Sequence, residues 1–260
     1  MKTGLCSITF RKLTVLQVAN LVKEAGLDAI EWGGDVHVPH GDLIAAREAR
    51  RITEEAGLAV SSYGSYYRIL DEAGTVQDFE PVLETALEMG VNTIRIWAGP
   101  LGSDLADATY RNRLVVESLR IAEQAAKQNV RLGFEFHRNT LMDTNESALH
   151  LLEEARHPNL YTYWQPMYWG PDMETRLQGL DVLRERILNL HVFYWLYDFE
   201  KQQRESRPLV EGADDWRRYL SVELPAGDHF ALLEFVRNND PAQFLADAAT
   251  LKKWVGVCGG

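Results

Sequence analysis

The sequence predicts an α/β protein folded as a (β/α)8 barrel, on the strength of a repeated helix-ending phrase and eight strand-like segments at regular spacing. The phrase is Lys23-Glu24-Ala25-Gly26-Leu27, then Glu54-Glu55-Ala56-Gly57-Leu58, then Leu87-Glu88-Met89-Gly90-Val91, each running into an apolar segment. A Gly just past a helix adopts the left-handed conformation cheaply, and the apolar residue after it closes the cap. Asn129 takes the same place before Val130. The four marks stand 31, 33 and 39 residues apart, the length of one strand, one helix and their loops. Evenly repeated units of that kind make a parallel sheet.

In order along the chain, the strands are expected at about 3 to 9, 28 to 32, 59 to 63, 92 to 97, 130 to 137, 160 to 165, 187 to 193 and 230 to 235. The first helix, Thr14 to Glu24, buries Val15, Val18, Leu21 and Val22; the second, Asp42 to Glu55, starts at a capping Asp; the fourth, Ala106 to Gln128, is the longest. A charged loop, Tyr197 to Asp215, follows the seventh strand and suits a lid. Eight units in 260 residues fit a barrel of ~250 residues as one domain, 1–260, better than an open sheet. No G-x-G-x-x-G follows the first strand, which disfavours dinucleotide binding.

Composition narrows the function classes. A net charge of −11 and a pI near 5.1, with no basic run, oppose a nucleic-acid partner. No apolar run is long enough to span a bilayer and the N-terminus does not read as a signal peptide, so a cytoplasmic protein without a membrane partner is expected. Cys6 and Cys258 lie near opposite ends and are read as free thiols.

Barrel chemistry sits where strands end, so the polar residues closing each strand on its inward parity are the site candidates. They are Glu31, Arg95, Glu135 with His137, Gln165, His191 and Glu234, flanked by apolar neighbours such as Phe134 and Phe136 or Leu233 and Phe235. Glu135, Gln165, His191 and Glu234 offer three oxygen donors and one imidazole, a set for Mn²⁺ or Mg²⁺ in preference to Zn²⁺. The same residues also suit plain interior roles, an ion pair with Arg95 or a satisfied core histidine. Aromatic residues crowd the strand ends, among them Trp32, Tyr63, Tyr66, Trp97, Trp164, Tyr168, Trp169 and Trp195, and aromatic faces pack on sugar C–H faces. His37, in the loop Gly33 to Asp42, and Trp97 join the substrate-binding candidates. Arg68, Arg138, Lys201 and Arg204 stand in rim loops and suit either a phosphate or simple solvation.

Ala29-Ile30-Glu31-Trp32, Phe134-Glu135-Phe136-His137-Arg138-Asn139-Thr140-Leu141, Leu188-Asn189-Leu190-His191 and Leu232-Leu233-Glu234 resemble the xylose isomerase-like TIM barrels over nearly the whole chain. That family includes sugar phosphate isomerases and epimerases, ketose 3-epimerases and, more distantly, endonuclease IV. The resemblance implies that Glu135 and Glu234 bind one divalent metal and act as the acid/base pair, with His191 a further ligand. The family's Asp ending strand six and its substrate-binding His three residues later are replaced by Gln165 and Tyr168. The implied activity is a metal-dependent isomerase or epimerase of a monosaccharide or sugar phosphate. An inosose dehydratase-like lyase and a sugar-binding barrel with a degenerate metal site are the alternatives. The resemblance leaves a homo-oligomer open; the three-zinc cluster of endonuclease IV is missing from these strand ends.

Overall fold

The computed structural model describes residues 1–258 apart from Glu72 and Trp169, with the backbone alone described for 257 and 258. Seven strands enter the barrel in sequence: β1 (Lys2–Cys6), β2 (Ala29–Gly33), β3 (Ala59–Arg68), β4 (Thr93–Trp97), β5 (Arg131–Glu135), β6 (Leu160–Trp164) and β7 (Ile187–Val192). Two further strands, β8 (Trp195–Asp198) and β9 (Gln203–Ser206), form an antiparallel hairpin outside it. The last barrel strand is β10 (Phe230–Leu233), which pairs in parallel with both β1 and β7 and closes the ring.

The helices between them are α1 (Val15–Ala25), α2 (Leu43–Glu55), α3 (Glu80–Glu88), α4 (Ala108–Ala126), α5 (Asn145–Ala155), α6 (Met173–Leu183), α7 (Ala213–Leu220) and α8 (Pro241–Cys258). Their starts follow the expected capping chemistry. Thr14 and Gln17 form a reciprocal capping box on α1, and the Asp42 and Asp107 carboxylates accept from Ala45 and Tyr110 backbone N–H groups. Gly26, Gly57, Gly90 and Asn129 all take the left-handed conformation, with φ of 63°, 79°, 71° and 57°. The recurring phrase therefore marks the turn from helix into strand, as its chemistry requires.

Where expectation and structure differ, the difference lies at strand ends and in the lid segment. Ser7–Phe10 leaves β1 as a 3-10 turn, and β5 stops at Glu135, so His137 stands on the loop beyond it. The Tyr197 to Asp215 segment is not loop throughout: it contains most of the β8–β9 hairpin, a short 3-10 turn and the start of α7. Alternating charge along Gln203–Ser206 hides a strand, since an exposed hairpin needs no apolar face. No helix of the described residues is long and apolar enough to cross a membrane.

Side chains outside the barrel form one large core with the helices. Inside it, Ala29, Tyr163, Leu188, Phe230 and Leu232 pack as a separate apolar group. Gly133 makes room for it, because a Cβ there would stand 2.6 Å from two Tyr163 ring carbons and 3.2 Å from Leu188. An aromatic ring held in a filled barrel cannot yield by that much, and overpacking typically costs about 1–3 kcal/mol. Gly133→Ala should accordingly lower the thermal midpoint by several degrees in a circular dichroism melt. An unchanged midpoint would show that the barrel interior is looser than this packing implies.

Candidate active site

Six of the sequence-selected residues converge inside one end of the barrel. β2 supplies Glu31, β4 Arg95, β5 Glu135 and β7 His191, while Gln165 and Glu234 sit one residue past the ends of β6 and β10. Parallel strands with inward alternation bring these positions to one level. None of the six is more than 3% exposed.

Arg95 ties the group together. Its Nε donates to Glu31 Oε1 at 3.0 Å and its Nη1 to Glu135 Oε2. In the sheet register Gly64 of β3 lies opposite Arg95 on one side and Gly133 of β5 on the other. A Cβ at Gly64 would fall 2.7 Å from Arg95 Nη2 and 2.9 Å from Glu31 Oε1. The guanidinium therefore occupies space that only glycine leaves open. Glu31 also accepts from Cys6 Sγ at 3.1 Å and Ser62 Oγ at 2.8 Å, and lies 3.4 Å from His191 Nε2.

The charges set one another's protonation. Burial pushes the Glu31 carboxyl up, but Arg95 and His191 outweigh it and hold the group well below the usual carboxylate range. Glu135 follows the same logic: burial raises it, and Arg95, with His137 and His191, brings it below its ordinary value. Burial alone would lower the His191 imidazole; Glu234 and Glu31 overcome that, and it is pushed up to about 10. Burial and Glu31 push the Cys6 thiol up, so it serves as a neutral donor.

The donor chemistry also fits a divalent cation. Glu135, His191 and Glu234 each direct a ligand atom into a space where these atoms lie within 4.8 Å of one another. Gln165 Oε1 stands 3.3 Å from His191 Nδ1, and its Nε2 donates to the Phe136 carbonyl at 2.9 Å, which fixes the amide's orientation. Glu234 Oε2 is buried, with His191 Nδ1 3.2 Å away and no well-aligned hydrogen-bond donor among the described residues, so it has capacity left for a cation. Two carboxylates, one carboxamide oxygen and one imidazole suit Mn²⁺ or Mg²⁺, whose binding would displace the proton that His191 holds in the metal-free protein. Cys6, Glu31 and His191 form a second close group, but there the thiol donates its proton to Glu31.

Residues 19–254 match the family model of the xylose isomerase-like TIM barrel. The chain belongs to that family. It is 28% identical to a 3-dehydroshikimate dehydratase of Bacillus anthracis over 268 residues, 92% of each chain. The crystal structure of AsbF from Bacillus anthracis, involved in petrobactin synthesis, superposes with a TM-score of 0.79 at 25% identity, covering 97% of this chain and 99% of that one. The D-psicose 3-epimerase of Clostridium cellulolyticum H10 shares the fold, with a TM-score of 0.65 at 14% identity over 98% of this chain and 99% of its own. The proteins it resembles thus include a dehydratase by sequence and a sugar epimerase by fold.

The remaining sequence candidates divide. Trp97 and His137 stack at 4.5 Å at the ends of β4 and β5, in the wall of a cavity of about 730 Å³ beside the cluster. His37 is not at this wall: its ring nitrogens lie 3.1 Å from Ser7 Oγ and 3.0 Å from the Leu13 carbonyl, which leaves neither for a sugar hydroxyl. Tyr168 donates to the Phe193 carbonyl at 3.1 Å within an aromatic group of Phe193, Tyr194 and Trp195. Its hydroxyl is spent on holding the β7 end, a packing role where a substrate contact was expected. Glu31 and Arg95, also expected at substrate, have their buried polar groups turned mainly to each other and to protein neighbours. Trp169 lies outside the described residues.

Three contributors escaped the sequence reading, and a fourth, Tyr66, was expected only as one of the rim aromatics. Cys6 and Ser62 share the inward parity of Glu31's neighbours, a signal available in principle once register is known. Gly64 matters for what it lacks. Tyr66 lies over Arg95, 5.0 Å from guanidinium to ring centroid, with its hydroxyl accepting from Arg11 at 3.0 Å. Its φ of 57° turns it back across the mouth, and nothing in an isolated tyrosine announces that.

The network makes an opposite-slope test possible. In the native protein the Glu31 and Glu135 values are depressed below 4.5, so their stabilisation is present above that pH and lost as pH falls through the folded values. Arg95→Met leaves two buried carboxylates without their cation, at a cost of about 3–5 kcal/mol at neutral pH. Burial then raises their values, so the variant should gain stability as pH falls from 7 toward 4.5. Urea midpoints for both proteins at pH 7 and pH 5 check this; parallel pH dependences would refute the assignment of Arg95 as the counter-charge.

Proposed function

We propose that the protein is a divalent-metal-dependent lyase that dehydrates a small polyhydroxylated ketone, starting with removal of the proton α to the carbonyl. The observation that carries the reading is the buried pair Glu135 and Glu234, whose oxygens lie 3.9 and 3.2 Å from the same His191 Nδ1. The 28% identity to a dehydratase over 92% of both chains favours elimination as the outcome.

The roles follow from the electrostatics. Glu135, kept ionised by Arg95, is the base: it takes the α-proton, and the C–H electron pair becomes the enolate double bond. Collapse of the enolate expels the β-hydroxyl, which leaves as water with the proton that Glu135 removed, handed across by Glu234, so that both carboxylates end as they began. Glu135, Gln165, His191 and Glu234 would hold the metal. Bound there, a divalent ion would polarise the substrate carbonyl and make the adjacent C–H more acidic. Trp97 and His137 would bound the substrate, with His137 placed to pass protons outward.

A second reading, ketose epimerisation, is favoured by the same two carboxylates, since one can remove a proton from one face of the enediolate while the other returns it to the opposite face. The two readings share the first step and part at the second.

Incubation with Mn²⁺ and 3-dehydroshikimate separates them, because loss of one water leaves an aromatic dihydroxybenzoate visible by ultraviolet absorbance. The expected result is turnover by the native protein and a drop on the order of a hundredfold or more in Glu135→Gln and in Glu234→Gln. Ketohexose interconversion without dehydration would instead establish the epimerase; turnover undiminished in both variants would end the two-carboxylate mechanism.

Gln165→Glu is the companion test of the metal set. It adds a charge toward the ion but sets a carboxylate oxygen against the Phe136 carbonyl that the amide now satisfies. Mn²⁺ binding at neutral pH should tighten while the metal-free protein melts lower. A variant with neither effect would remove Gln165 from the set.

A further inference from the structure

The residue after Glu234 has a backbone conformation that its side chain does not favour. Phe235 has a φ of 52°, in the left-handed region that crowds a Cβ against the following carbonyl. Asn238 and Asn239, in the turn that follows, have φ of 58° and 50°, and a short amide side chain tolerates that region where a phenylalanine does not. The turn interrupts the alternation of the strand. Leu233 before it and Val236 after it pack in the outer core, whereas the Phe235 ring leaves that core for the aromatic group at the barrel mouth. The Glu234 backbone N–H donates to the Val192 carbonyl at 3.0 Å, extending the pairing of β10 with β7. The backbone around Glu234 is thus fixed twice, by that ladder bond and by the turn at Phe235. A strained residue keeps its conformation only where its surroundings impose it.

The β8–β9 hairpin supplies those surroundings. The Ser206 hydroxyl donates to the Phe235 carbonyl at 2.7 Å. Trp195 and Ser206 stand opposite each other in the hairpin register, and Arg204 lies two residues along from Ser206, so all three side chains share one face. That face meets Phe235. The Trp195 ring centroid is 4.8 Å from that of Phe235, and the Arg204 guanidinium, 4.3 Å from the Trp195 centroid, is 6.0 Å from the Phe235 one. Leu196 and Glu205, on the opposite face, are exposed. Phe193 forms the floor, 5.4 Å from the Phe235 ring and edge-on to it, and its own carbonyl accepts from the Tyr168 hydroxyl at 3.1 Å and from Trp216 Nε1 at 2.9 Å. A two-stranded ribbon of four residues a side is marginal alone, so docking on Phe235 steadies the hairpin while the hairpin holds the turn.

We propose that the hairpin is a positioning device for Glu234: Ser206 and Trp195 clamp Phe235 in the left-handed conformation, and the turn so held keeps the Glu234 carboxylate directed at His191 Nδ1, 3.2 Å away. Ser206, Trp195 and Phe235 are positioning residues, acting through Glu234 and not on a substrate. That this position serves proton delivery to a leaving hydroxyl rests on the lyase reading above; the coupling of hairpin to carboxylate does not.

Nitrogen-15 spectra of the imidazole rings in the metal-free protein report the coupling without turnover, because the His191 Nδ1 resonance senses the carboxylate beside it. Glu234→Gln gives the resonance position for a lost carboxylate charge. Ser206→Ala, and Phe235→Ala as an independent variant, should move the His191 resonance toward that position. Ser206→Thr, which keeps the hydroxyl, and Leu196→Ala, on the exposed face of the hairpin, should leave it at the native value. With saturating Mn²⁺ and 3-dehydroshikimate as substrate, Ser206→Ala should lower kcat by about tenfold with little change in KM, within the roughly hundredfold that a misplacement of about 1 Å can cost. Ser206→Thr should recover the rate. A resonance that moves in the variants of a protein whose native form does not dehydrate this substrate would keep the role of the hairpin and end the lyase reading. A His191 resonance unchanged in both Ser206→Ala and Phe235→Ala would overturn the proposal, as would an equal shift in Leu196→Ala.

Discussion

A guanidinium buried inside a parallel barrel is the constraint on which this site depends. Taking Arg95 out of water costs several kcal/mol unless its charge and donors are met, and the surrounding strands are arranged to meet them. Glu31 and Glu135 supply the countercharge, and Gly64 and Gly133 on the neighbouring strands leave the room. The pairing has a chemical consequence. A carboxylate alone in this environment would be driven up by burial and hold its proton; next to Arg95 it stays ionised, which is the state a general base requires. On the proposed mechanism, stability and reactivity are two effects of one ion pair.

The carboxylates differ in what surrounds them, and that divides their work. Glu31 is enclosed by Cys6, Ser62, Arg95 and His191 and functions as an anchor for the others. Glu234 faces His191 with Oε2 otherwise unpartnered among the described residues, and Glu135 has Oε2 on Arg95 and Oε1 toward Gln165 and His191. Identical side chains on inward-facing strand positions thus acquire separate roles from their neighbours alone.

The barrel was legible in the sequence because its punctuation is local. A left-handed Gly or Asn after each of four helices is chemistry that five residues carry by themselves, and all four positions adopt it. Convergence of Glu31, Arg95, Glu135, Gln165, His191 and Glu234 was legible too, since inward parity at strand ends is a property of the fold class. Beyond that, local signals failed. His37 and Tyr168 carry groups that suit a substrate, but distant partners, Leu13 and Phe193, claim them. Gly64 and Tyr66 act through a missing Cβ and a backbone turn, neither visible before register is known. The hairpin escaped because an exposed ribbon stabilised by stacking of Arg204 on Trp195 needs no alternating apolar face.

On the proposed metal reading, Gln165 stands where the resemblance implies an Asp, and its amide can serve the site in that place. An Asp there would offer the cation a charge but would have no hydrogen to give the Phe136 carbonyl. The amide does both jobs at once, turning Oε1 toward the ligand group and donating Nε2 to that carbonyl at 2.9 Å. The missing negative charge is also less needed here, because Glu31 stands behind His191 and already strengthens its basicity as a neighbouring carboxylate does for a metal-bound imidazole. A third carboxylate beside Glu135 and Glu234 would have to be neutralised by Arg95 or His191, which Glu31 and Glu135 already engage. A neutral oxygen at position 165 is thus consistent with the proposed metal set, whose buried carboxylates already share Arg95 and His191 as counter-charges.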